Sequence, residues 1–297
     1  RRFATDRRLS LIMVFSAAVL STFLTNDVAL FIIVPLTLTL RKLCEIPVSR
    51  LIIFEALAVN AGSLLTPIGN PQNILLWGRS GLSFAAFTWQ MAPLALVMML
   101  TLLAVCWFAF PDKKLQYHSG TTGPQWQPRL VWSCLALYIV FLVALEMKVE
   151  LAGVLLVAAG FLVLARRVLV SVDWTLLLVF MAMFIDVYLL IQLPALQNVL
   201  HGVSGLSQPG LWLTAIGLSQ FISNVPSTIL LLNYVPPDTL LAWAVNIGGF
   251  GLLPGSLANL IAVRMANDRR IWWRFHLWSV PMLMWAAAIG FGLFLLI

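Results

Sequence analysis

Amide and hydroxyl side chains recur at matching places in the two halves of this chain, within otherwise apolar sequence. Residues 21–26, Ser-Thr-Phe-Leu-Thr-Asn, return 198 positions later as residues 219–224, Ser-Gln-Phe-Ile-Ser-Asn. Residues 58–62, Ala-Val-Asn-Ala-Gly, return 186 positions later as residues 244–248, Ala-Val-Asn-Ile-Gly. Such groups form hydrogen bonds and can coordinate cations through oxygen. The pattern therefore predicts one polar binding site to which both halves of the chain contribute.

Glycine and proline interrupt the second pair of segments. Without a gap, the 186-residue alignment also pairs Gly69 with Gly255, Asn70 with Ser256, and Asn73 with Asn259. Pro67 and Pro71 each remove a backbone donor, so this region is predicted to break a helix. Irregular backbone at membrane depth is tolerated only where it is buried in protein or lines a cavity. Paired breaks at corresponding places in two halves are typical of a secondary transporter's binding site.

The composition excludes an ordinary soluble domain. Hydrophobic residues make up 61% of the 297 residues and charged residues only 10%, against about a quarter charged in soluble proteins. We therefore expect the lipid bilayer to be the solvent of this chain. Positive residues stand in short loops rather than in a basic stripe with aromatic residues, which argues against a nucleic-acid partner. Cys44, Cys106 and Cys134 fit no metal-ligand or redox spacing, so neither a metal site nor a disulfide is expected.

The apolar runs predict an all-α polytopic membrane protein, built as an inverted repeat with two re-entrant helical hairpins and two discontinuous helices. Residues 1–110 form the predicted first repeat, residues 111–129 a cytoplasmic loop, and residues 130–297 the second repeat. The first repeat holds a hairpin at 9–40, a broken helix at 50–78 and a span at 88–110. The second holds scaffold spans across 130–194 (about 130–146, 151–166 and 173–194), a hairpin at 208–234, a broken helix at 238–266 and a span at 275–297.

The apolar run at residues 9–40 is too long for one membrane span and too short for two. As one helix its 32 residues would be about 48 Å long, against a hydrocarbon core of about 30 Å. Basic pairs flank both ends, at residues 7–8 and 41–42, which places both ends on the cytoplasmic side. A re-entrant hairpin with residues 25–27 at its tip satisfies both conditions, because each arm would reach just past the midplane.

The positive charges test this topology. With both hairpins re-entrant and both broken helices crossing once, 16 of the 18 Lys and Arg residues fall on one side, and only Arg79 and Lys148 on the other. The second hairpin has no Lys or Arg at either end, so it is expected to enter from the opposite face. An inverted repeat requires an odd number of crossings per unit, and therefore about three further scaffold helices before Arg1. The alternative is a complete, asymmetric chain.

Three motifs resemble those of the ion transporter superfamily, in its branch of arsenite permeases, sodium/proton antiporters and citrate-type anion permeases. They are residues 24–28 (Leu-Thr-Asn-Asp-Val), residues 66–73 (Thr-Pro-Ile-Gly-Asn-Pro-Gln-Asn) and residues 223–226 (Ser-Asn-Val-Pro). The resemblance covers essentially the whole chain, and its motifs are specific to the superfamily but not to a substrate. It implies a multi-pass transporter of the bacterial inner membrane that forms a homodimer.

The resemblance also implies roles for the motif residues. Asn26 and Asn224 would contact the substrate, while Thr25, Ser223 and the broken-helix segments would hold a coupling ion, with Na⁺ at the hairpin tips. The candidate substrate-binding residues are Asn26, Asn224, Thr25, Ser223, Ser227, Asn70, Asn73, Ser256 and Asn259. The candidates for ion or proton coupling are Asp27, Asp186, Thr66, Gly69 and Gly255. Alternatively, the Asn and Ser side chains only cap buried helix ends, whose free backbone groups need hydrogen-bond partners in lipid.

Asp27 distinguishes this chain from the sodium-dicarboxylate members of the superfamily, which carry Ser-Asn-Thr at both tips. A titratable carboxyl at membrane depth is a functional hypothesis by default, so Asp27 favours proton coupling and argues against dicarboxylate binding. Alternatively, Asp27 stabilises the N-terminus of the returning half-helix as an anion. Asp186, in the middle of a predicted span, is equally compatible with a proton relay and a scaffold hydrogen bond. Glu55 is expected to reach the interface or to pair with a loop arginine.

Together these patterns predict a secondary active transporter of a small anion or oxyanion-like solute, proton-coupled and operating by alternating access. A sodium/proton antiporter and a sodium-coupled carboxylate symporter are the alternatives. An intramembrane enzyme is not supported, because the chain has no HExxH or GxSxG motif. A channel is a weaker alternative, since re-entrant segments also build channels. No cofactor is expected beyond H⁺ or Na⁺, and without a Walker A motif an ATPase would have to be a separate subunit.

Overall fold

The computed structural model describes residues 5–116, 128–170, 174–193, 197 and 201–297. Thirteen α-helices lie in this described part of the chain, which contains no β-strand. The prediction of an all-α protein is confirmed. The helix bounds are α1 Asp6–Phe23, α2 Asn26–Leu43, α3 Val48–Ser63, α4 Pro71–Ser80, α5 Phe84–Ala109, α6 Pro128–Glu146, α7 Glu150–Val170, α8 Trp174–Ile191, α9 Gln208–Ile222, α10 Asn224–Leu231, α11 Thr239–Ile247, α12 Leu257–Ala266 and α13 Ile271–Phe294.

Three of the described helices, α5, α6 and α13, are long and apolar enough to cross a membrane. Large apolar side chains cover their outer surfaces. Trp89 and Phe108 of α5 are 82% and 85% exposed, and Trp273 of α13 is 72% exposed. Because hydrating apolar surface costs about 25 cal/mol per Å², hydrocarbon is the favourable surrounding for these helices.

The first predicted hairpin is formed by α1 and α2, which pack against each other and are separated only by Leu24 and Thr25. Both of these residues have extended backbone, and the Thr25 hydroxyl caps α2 by accepting from the Val28 amide. Each arm has 18 residues, about 27 Å, and is longer than predicted. The reason is that the basic pairs at residues 7–8 and 41–42 lie inside the helices and not before and after them.

The outer ends of α1 and α2 meet the same short segment. The Asp6 amide donates to the Lys113 carbonyl (2.9 Å), and the Glu45 amide donates to the Gln116 carbonyl (3.1 Å). Thr5 also forms a β-bridge with Lys114. The C-terminal end of α2 and the N-terminal end of α1 therefore both lie beside segment 113–116.

The second predicted hairpin is formed by α9 and α10, which are joined at Ser223 alone. Ser223 has φ 73° and ψ 154°, a conformation that costs about 1–3 kcal/mol for a residue with a side chain. Pro226 is tolerated in the first turn of α10 because the amides there have no intrahelical partner. Helix α10 ends at Leu231, so this arm is shorter than the predicted boundary at residue 234.

Two helices are interrupted near the middle, as the glycine and proline pattern indicated. Helix α3 ends at Ser63, and α4 begins at Pro71 with Asn70 as its cap. Helix α11 ends at Ile247, and α12 begins at Leu257 after a 3₁₀ turn at Leu253–Gly255. The Asn70 side-chain oxygen accepts from the Asn73 backbone amide at 2.8 Å. This N-cap hydrogen bond stabilises the start of α4 directly after the first break.

The structure divides into two compact units. One unit is Gly120–Ile185, in which α6 packs against α7. The other comprises Arg1–Ser119 and Asp186–Ile297 and contains both hairpins and both broken helices. Within it, α2 packs against α12 and α10 packs against α4. Each hairpin thus contacts the broken helix of the other half, which accounts for the grouping of both hairpins and both broken helices in one compact unit.

Glycine permits close helix contacts at aligned positions of the two halves. A Cβ at Gly62 of α3 would lie 2.1 Å from the Ala18 carbonyl oxygen and 2.6 Å from the Ser21 hydroxyl of α1. A Cβ at Gly248, the aligned position, would lie 2.4 Å from the Ser219 side chain of α9. The first arm of each hairpin, α1 or α9, therefore packs closely against the broken helix of its own half, α3 or α11.

We expect Gly62→Ala to destabilise the protein, because the new methyl group meets a backbone carbonyl and overpacking costs about 1–3 kcal/mol. The measurement is the midpoint of thermal unfolding in detergent. Gly78→Ala is the matched control, since nothing lies within 4 Å of a Cβ at Gly78 and alanine is the better helix former. Equal midpoints for the two variants would show that α1 and α3 do not approach this closely.

Candidate functional site

The two helix breaks are joined by a group of buried asparagines, here called the asparagine cluster. All five members are at most 4% exposed. They are Asn60, Asn70, Asn73, Asn246 and Asn259. Asn60 and Asn246 lie near the C-terminal ends of α3 and α11, and the other three lie at or near the starts of α4 and α12. Residues from both halves of the chain thus share one polar core.

One half of the asparagine cluster connects α3 to the second break. The Asn60 amide donates to the Asn259 side-chain oxygen at 2.8 Å and to the Gly249 carbonyl at 3.2 Å. The Ser256 hydroxyl in turn donates to the Asn60 side-chain oxygen at 3.2 Å. Asn60 is therefore held by both sides of the interruption in the other half.

The other half of the cluster repeats this arrangement with the roles of the two breaks exchanged. The Asn246 amide donates to the Asn73 side-chain oxygen at 2.7 Å, and the Asn70 amide donates to the Asn246 side-chain oxygen at 2.9 Å. In the 186-residue alignment these are the counterparts of the two side-chain bonds made by Asn60. Reciprocal contacts of this kind are those of a two-fold symmetric interface.

Asn73 and Asn259 also satisfy the carbonyls that each break leaves without helical partners. The Asn73 amide donates to the carbonyls of Ser63 (3.2 Å), Leu64 (3.1 Å) and Thr66 (3.0 Å). The Asn259 amide donates to the carbonyl of Gly249 at 2.9 Å. A buried carbonyl without a partner costs about 1–3 kcal/mol, so these two side chains stabilise the broken backbone.

The hairpin tips dock onto the same breaks through matching side chains. The Thr22 hydroxyl contacts the carbonyls of Ala18 (3.0 Å) and Gly62 (3.1 Å). Gln220, the aligned residue, donates to the carbonyls of Ile216 (3.3 Å) and Gly248 (2.8 Å). At the first tip the Asn26 backbone amide also donates to the Gly69 carbonyl at 2.9 Å. Each tip is thereby fixed beside one break.

Three buried polar atoms of this region have no hydrogen-bond partner among the described residues. They are Asp27 Oδ1 at the first tip, Ser227 Oγ after the second tip, and Gln72 Oε1 in the first turn of α4. Asn26 and Asn224 are 3% and 2% exposed, and the Asn26 side-chain oxygen accepts from the Asp27 amide at 3.0 Å. Buried groups left unpaired within a well-satisfied network are candidates for contact with a ligand.

Helix ends and one carboxyl group determine the electrostatics of the region. Helices α2, α4, α10 and α12 all begin at the tips and breaks, and each N-terminus carries the equivalent of about half a positive charge. Asp27, in the first turn of α2, is the only charged residue in segments 22–28, 63–73, 219–227 and 246–259. Within the described residues no group of three His, Cys, Asp or Glu side chains could hold a metal ion.

Most of the predicted site residues lie in this region, with different surroundings. Thr25 and Ser223 at the tips are half-buried, and Asp186 on α8 is exposed and lies outside the asparagine cluster. The Thr66 hydroxyl donates to the Thr22 carbonyl at 2.6 Å, so it serves the docking of the tip. The buried predicted residues are Asn26, Asp27, Thr66, Gly69, Asn70, Asn73, Asn224, Ser227, Gly255, Ser256 and Asn259.

Sequence reasoning missed the central members of the network. Asn60 and Asn246 join the two halves, and Gln72 and Gln220 complete the contacts around them. The signal was present, because Asn60 and Asn246 are the polar residues of the repeated Ala-Val-Asn motif. A polar residue kept in both copies of an apolar motif points to a contact between the copies.

The interpretation of Glu55 as an interfacial side chain was wrong. Glu55 is fully buried, and one of its carboxyl oxygens accepts from the Thr37 hydroxyl of α2. Arg50, the nearest arginine in sequence, instead donates to the Ala109 carbonyl at 2.7 Å. The side chain of Glu55 points between α3 and α2, which position along the helix alone could not reveal.

Comparisons with known proteins agree with this architecture. Residues 1–237 match the family model of the citrate transporter, CitMHS. The chain is 77% identical over 297 residues to the inner membrane protein YbiR of Escherichia coli strain K12, covering all of this chain and 80% of that relative. It is 33% identical over 265 residues to the uncharacterized transporter MJ0456 of Methanocaldococcus jannaschii, covering 88% of this chain and 72% of the relative.

A shorter match extends to a plant protein. Over 94 residues the chain is 33% identical to the silicon efflux transporter LSI3 of Oryza sativa subsp. japonica, covering 30% of this chain and 19% of that relative. The family and the relatives show a multi-pass membrane transporter of the inner membrane and not an enzyme. The superfamily resemblance drawn from the motifs is confirmed, and the chain belongs to the citrate transporter family.

Proposed function

We propose that the protein is a proton-coupled secondary transporter of a small anion or oxyanion-like solute, which binds where the two hairpin tips meet the two helix breaks. The observation that carries this proposal is the reciprocal bonding of the asparagine cluster, in which each half holds the break of the other half. Such an arrangement supports a single central site that both halves can open or close by small relative movements.

The anionic character of the solute follows from the groups that surround the proposed site. Helix N-termini point backbone amides toward a ligand and favour negative charge. Asn26 and Asn224 each begin a helix at a tip, and their side chains can donate to an oxyanion as well. The family description favours a carboxylate among the small anions, which keeps a sodium-coupled carboxylate symporter as the second candidate, with Na⁺ at the tips.

Proton coupling is assigned to Asp27. This carboxyl is 2% exposed, and one of its oxygens has no partner among the described residues. A buried carboxylate without a cationic partner is costly, so proton uptake would accompany its burial. When the site opens to water, the proton could leave, and transport of the solute would then depend on the pH gradient. The same group would serve in the alternative sodium/proton antiporter.

In the membrane, we propose that both hairpins are re-entrant and enter from opposite faces as parts of an inverted repeat. The shared contact of Asp6 and Glu45 with segment 113–116 supports entry and exit of the first hairpin on one side. Placing its basic end residues in the headgroup layer leaves about 15 residues per arm in hydrocarbon, which reaches just past the midplane. A homodimer, which the superfamily resemblance implies, is part of the same proposal.

Asn26→Ala and Asn224→Ala are expected to reduce solute flux by roughly tenfold or more, because a hydrogen bond to a charged group contributes about 1.5–3 kcal/mol. The measurement is uptake by proteoliposomes of radiolabelled citrate, with phosphate and arsenite as further probes. Asn233→Ala is the matched control, since Asn233 is exposed and its side chain, among the described residues, donates only to carbonyls at the end of α10. Wild-type flux in both tip variants, with the fold retained, would remove the site assignment.

Asp27→Asn is expected to abolish the stimulation of uptake by an inward proton gradient, because the amide cannot carry the proton. A pH-sensitive dye inside the proteoliposomes records proton movement beside solute uptake. Asp238→Asn is the control, since Asp238 caps α11 at an exposed position and asparagine caps equally well. A full proton-driven response in Asp27→Asn would assign Asp27 to helix capping alone.

Single cysteines at positions 5 and 45 are expected to react with a membrane-impermeant maleimide from the same side of the membrane, because both ends of the first hairpin meet one segment. The background is the chain with Cys44, Cys106 and Cys134 replaced by alanine, and Arg79→Cys reports the opposite side. Labelling of positions 5 and 45 from different sides would disprove the re-entrant hairpin and leave the flux predictions to be judged separately.

A further inference from the structure

A polar cavity whose lining contains no member of the asparagine cluster lies at the other ends of α2 and α3. It has a volume of about 770 Å³ and is formed by the C-terminal end of α2, the start of α3 and the turn between α12 and α13. Four arginines and one aspartate line it, and we name it the arginine cavity. Its charged residues are Arg41, Arg50, Arg269, Arg274 and Asp268.

The charges of the arginine cavity do not balance. Asp268 accepts from the Ser49 hydroxyl at 2.7 Å and lies 4.0 Å from Arg274. The Ser49 hydrogen bond, followed by the Arg270 backbone amide, lowers the pKa of Asp268 below its ordinary value, so this carboxyl is ionised at neutral pH. The side chains of Arg41 and Arg269 form no ion pair or hydrogen bond with the part of the chain that the structure describes. The cavity therefore carries a positive excess.

The other side of the cavity is apolar and continues onto a candidate membrane span. Ile53 and Trp278 line it, and the Trp278 ring packs 5.0 Å from the Phe54 ring. Leu277 also lines the cavity and is 72% exposed on α13, one of the helices able to cross a membrane. A basic opening beside an exposed apolar wall suits a ligand with a charged head and a hydrocarbon part.

We propose that the arginine cavity binds a phosphate group, as carried by the headgroup of an anionic phospholipid or by soluble phosphate. Phosphate oxygens accept from several guanidinium groups at once, and basic pockets between membrane helices bind anionic lipid headgroups. The apolar wall made by Leu277 and Trp278 favours the lipid as the source. A bound headgroup would link the ends of α2, α3 and α13.

The test compares two arginine pairs in the full chain purified in detergent. Arg41→Gln with Arg269→Gln removes the two unpaired charges of the cavity and leaves the bonded Arg50 and Arg274 in place. Arg166→Gln with Arg167→Gln is the matched control, since it removes two exposed charges at the end of α7, outside the cavity. Native mass spectrometry measures bound phosphatidylglycerol against phosphatidylcholine, and calorimetry measures binding of inorganic phosphate.

The wild type and the control pair are expected to retain phosphatidylglycerol over phosphatidylcholine, and the cavity pair to bind it roughly tenfold more weakly. Phosphate binding that depends on the cavity pair, without preference for phosphatidylglycerol, would identify soluble phosphate as the source. Equal binding by all three proteins in both assays would overturn the proposal. Should the cavity variant not fold, the absence of both lipid preference and phosphate binding in the wild type would also overturn it.

Discussion

The need to satisfy broken backbone away from water governs the whole central part of this protein. Each interrupted helix leaves carbonyls and amides that lipid cannot solvate. Asparagine meets this need because one side chain offers both donors and an acceptor. Asn73 and Asn259 satisfy the carbonyls of their own breaks, while Asn60 and Asn246 hold the break of the opposite half. The broken helices of the two halves therefore stabilise each other, and together with the two hairpins they lie in one compact unit.

The same constraint separates the polar groups that hold the breaks from those that remain for the proposed site. Around the tips and breaks, the buried polar atoms that have no partner among the described residues belong to Asp27, Ser227 and Gln72. A site that is rigid in its framework and unsatisfied at a few positions is suited to bind a polar solute and release it again. Ser223 fits this view, because its strained backbone is held at the tip of a hairpin, where strain is often part of a mechanism.

Much of the fold could be predicted from the chain because apolar runs and breakers act locally. The tips at Thr25 and Ser223 and the break between Ser63 and Pro71 follow from capping residues, glycine and proline. The lengths of the hairpin arms were less accurate, since long basic side chains can lie within a terminal helical turn. Asp186 illustrates a different limit, because a carboxyl in an apolar run does not reveal which direction it faces.

The sequence alone determined the all-helical membrane class, the two hairpins, the two breaks and the internal repeat, because these depend on local periodicity and on matching residues. Only the tertiary structure decided which side-chain amide donates to which side-chain carbonyl between residues 170 to 200 positions apart in the sequence. It placed Glu55 against Thr37, brought Asn60 and Asn246 into the centre, and gathered the arginines of α2, α3 and the α12–α13 turn around one cavity. These contacts join residues distant in the chain, and their partners are set by packing, which a one-dimensional pattern does not contain.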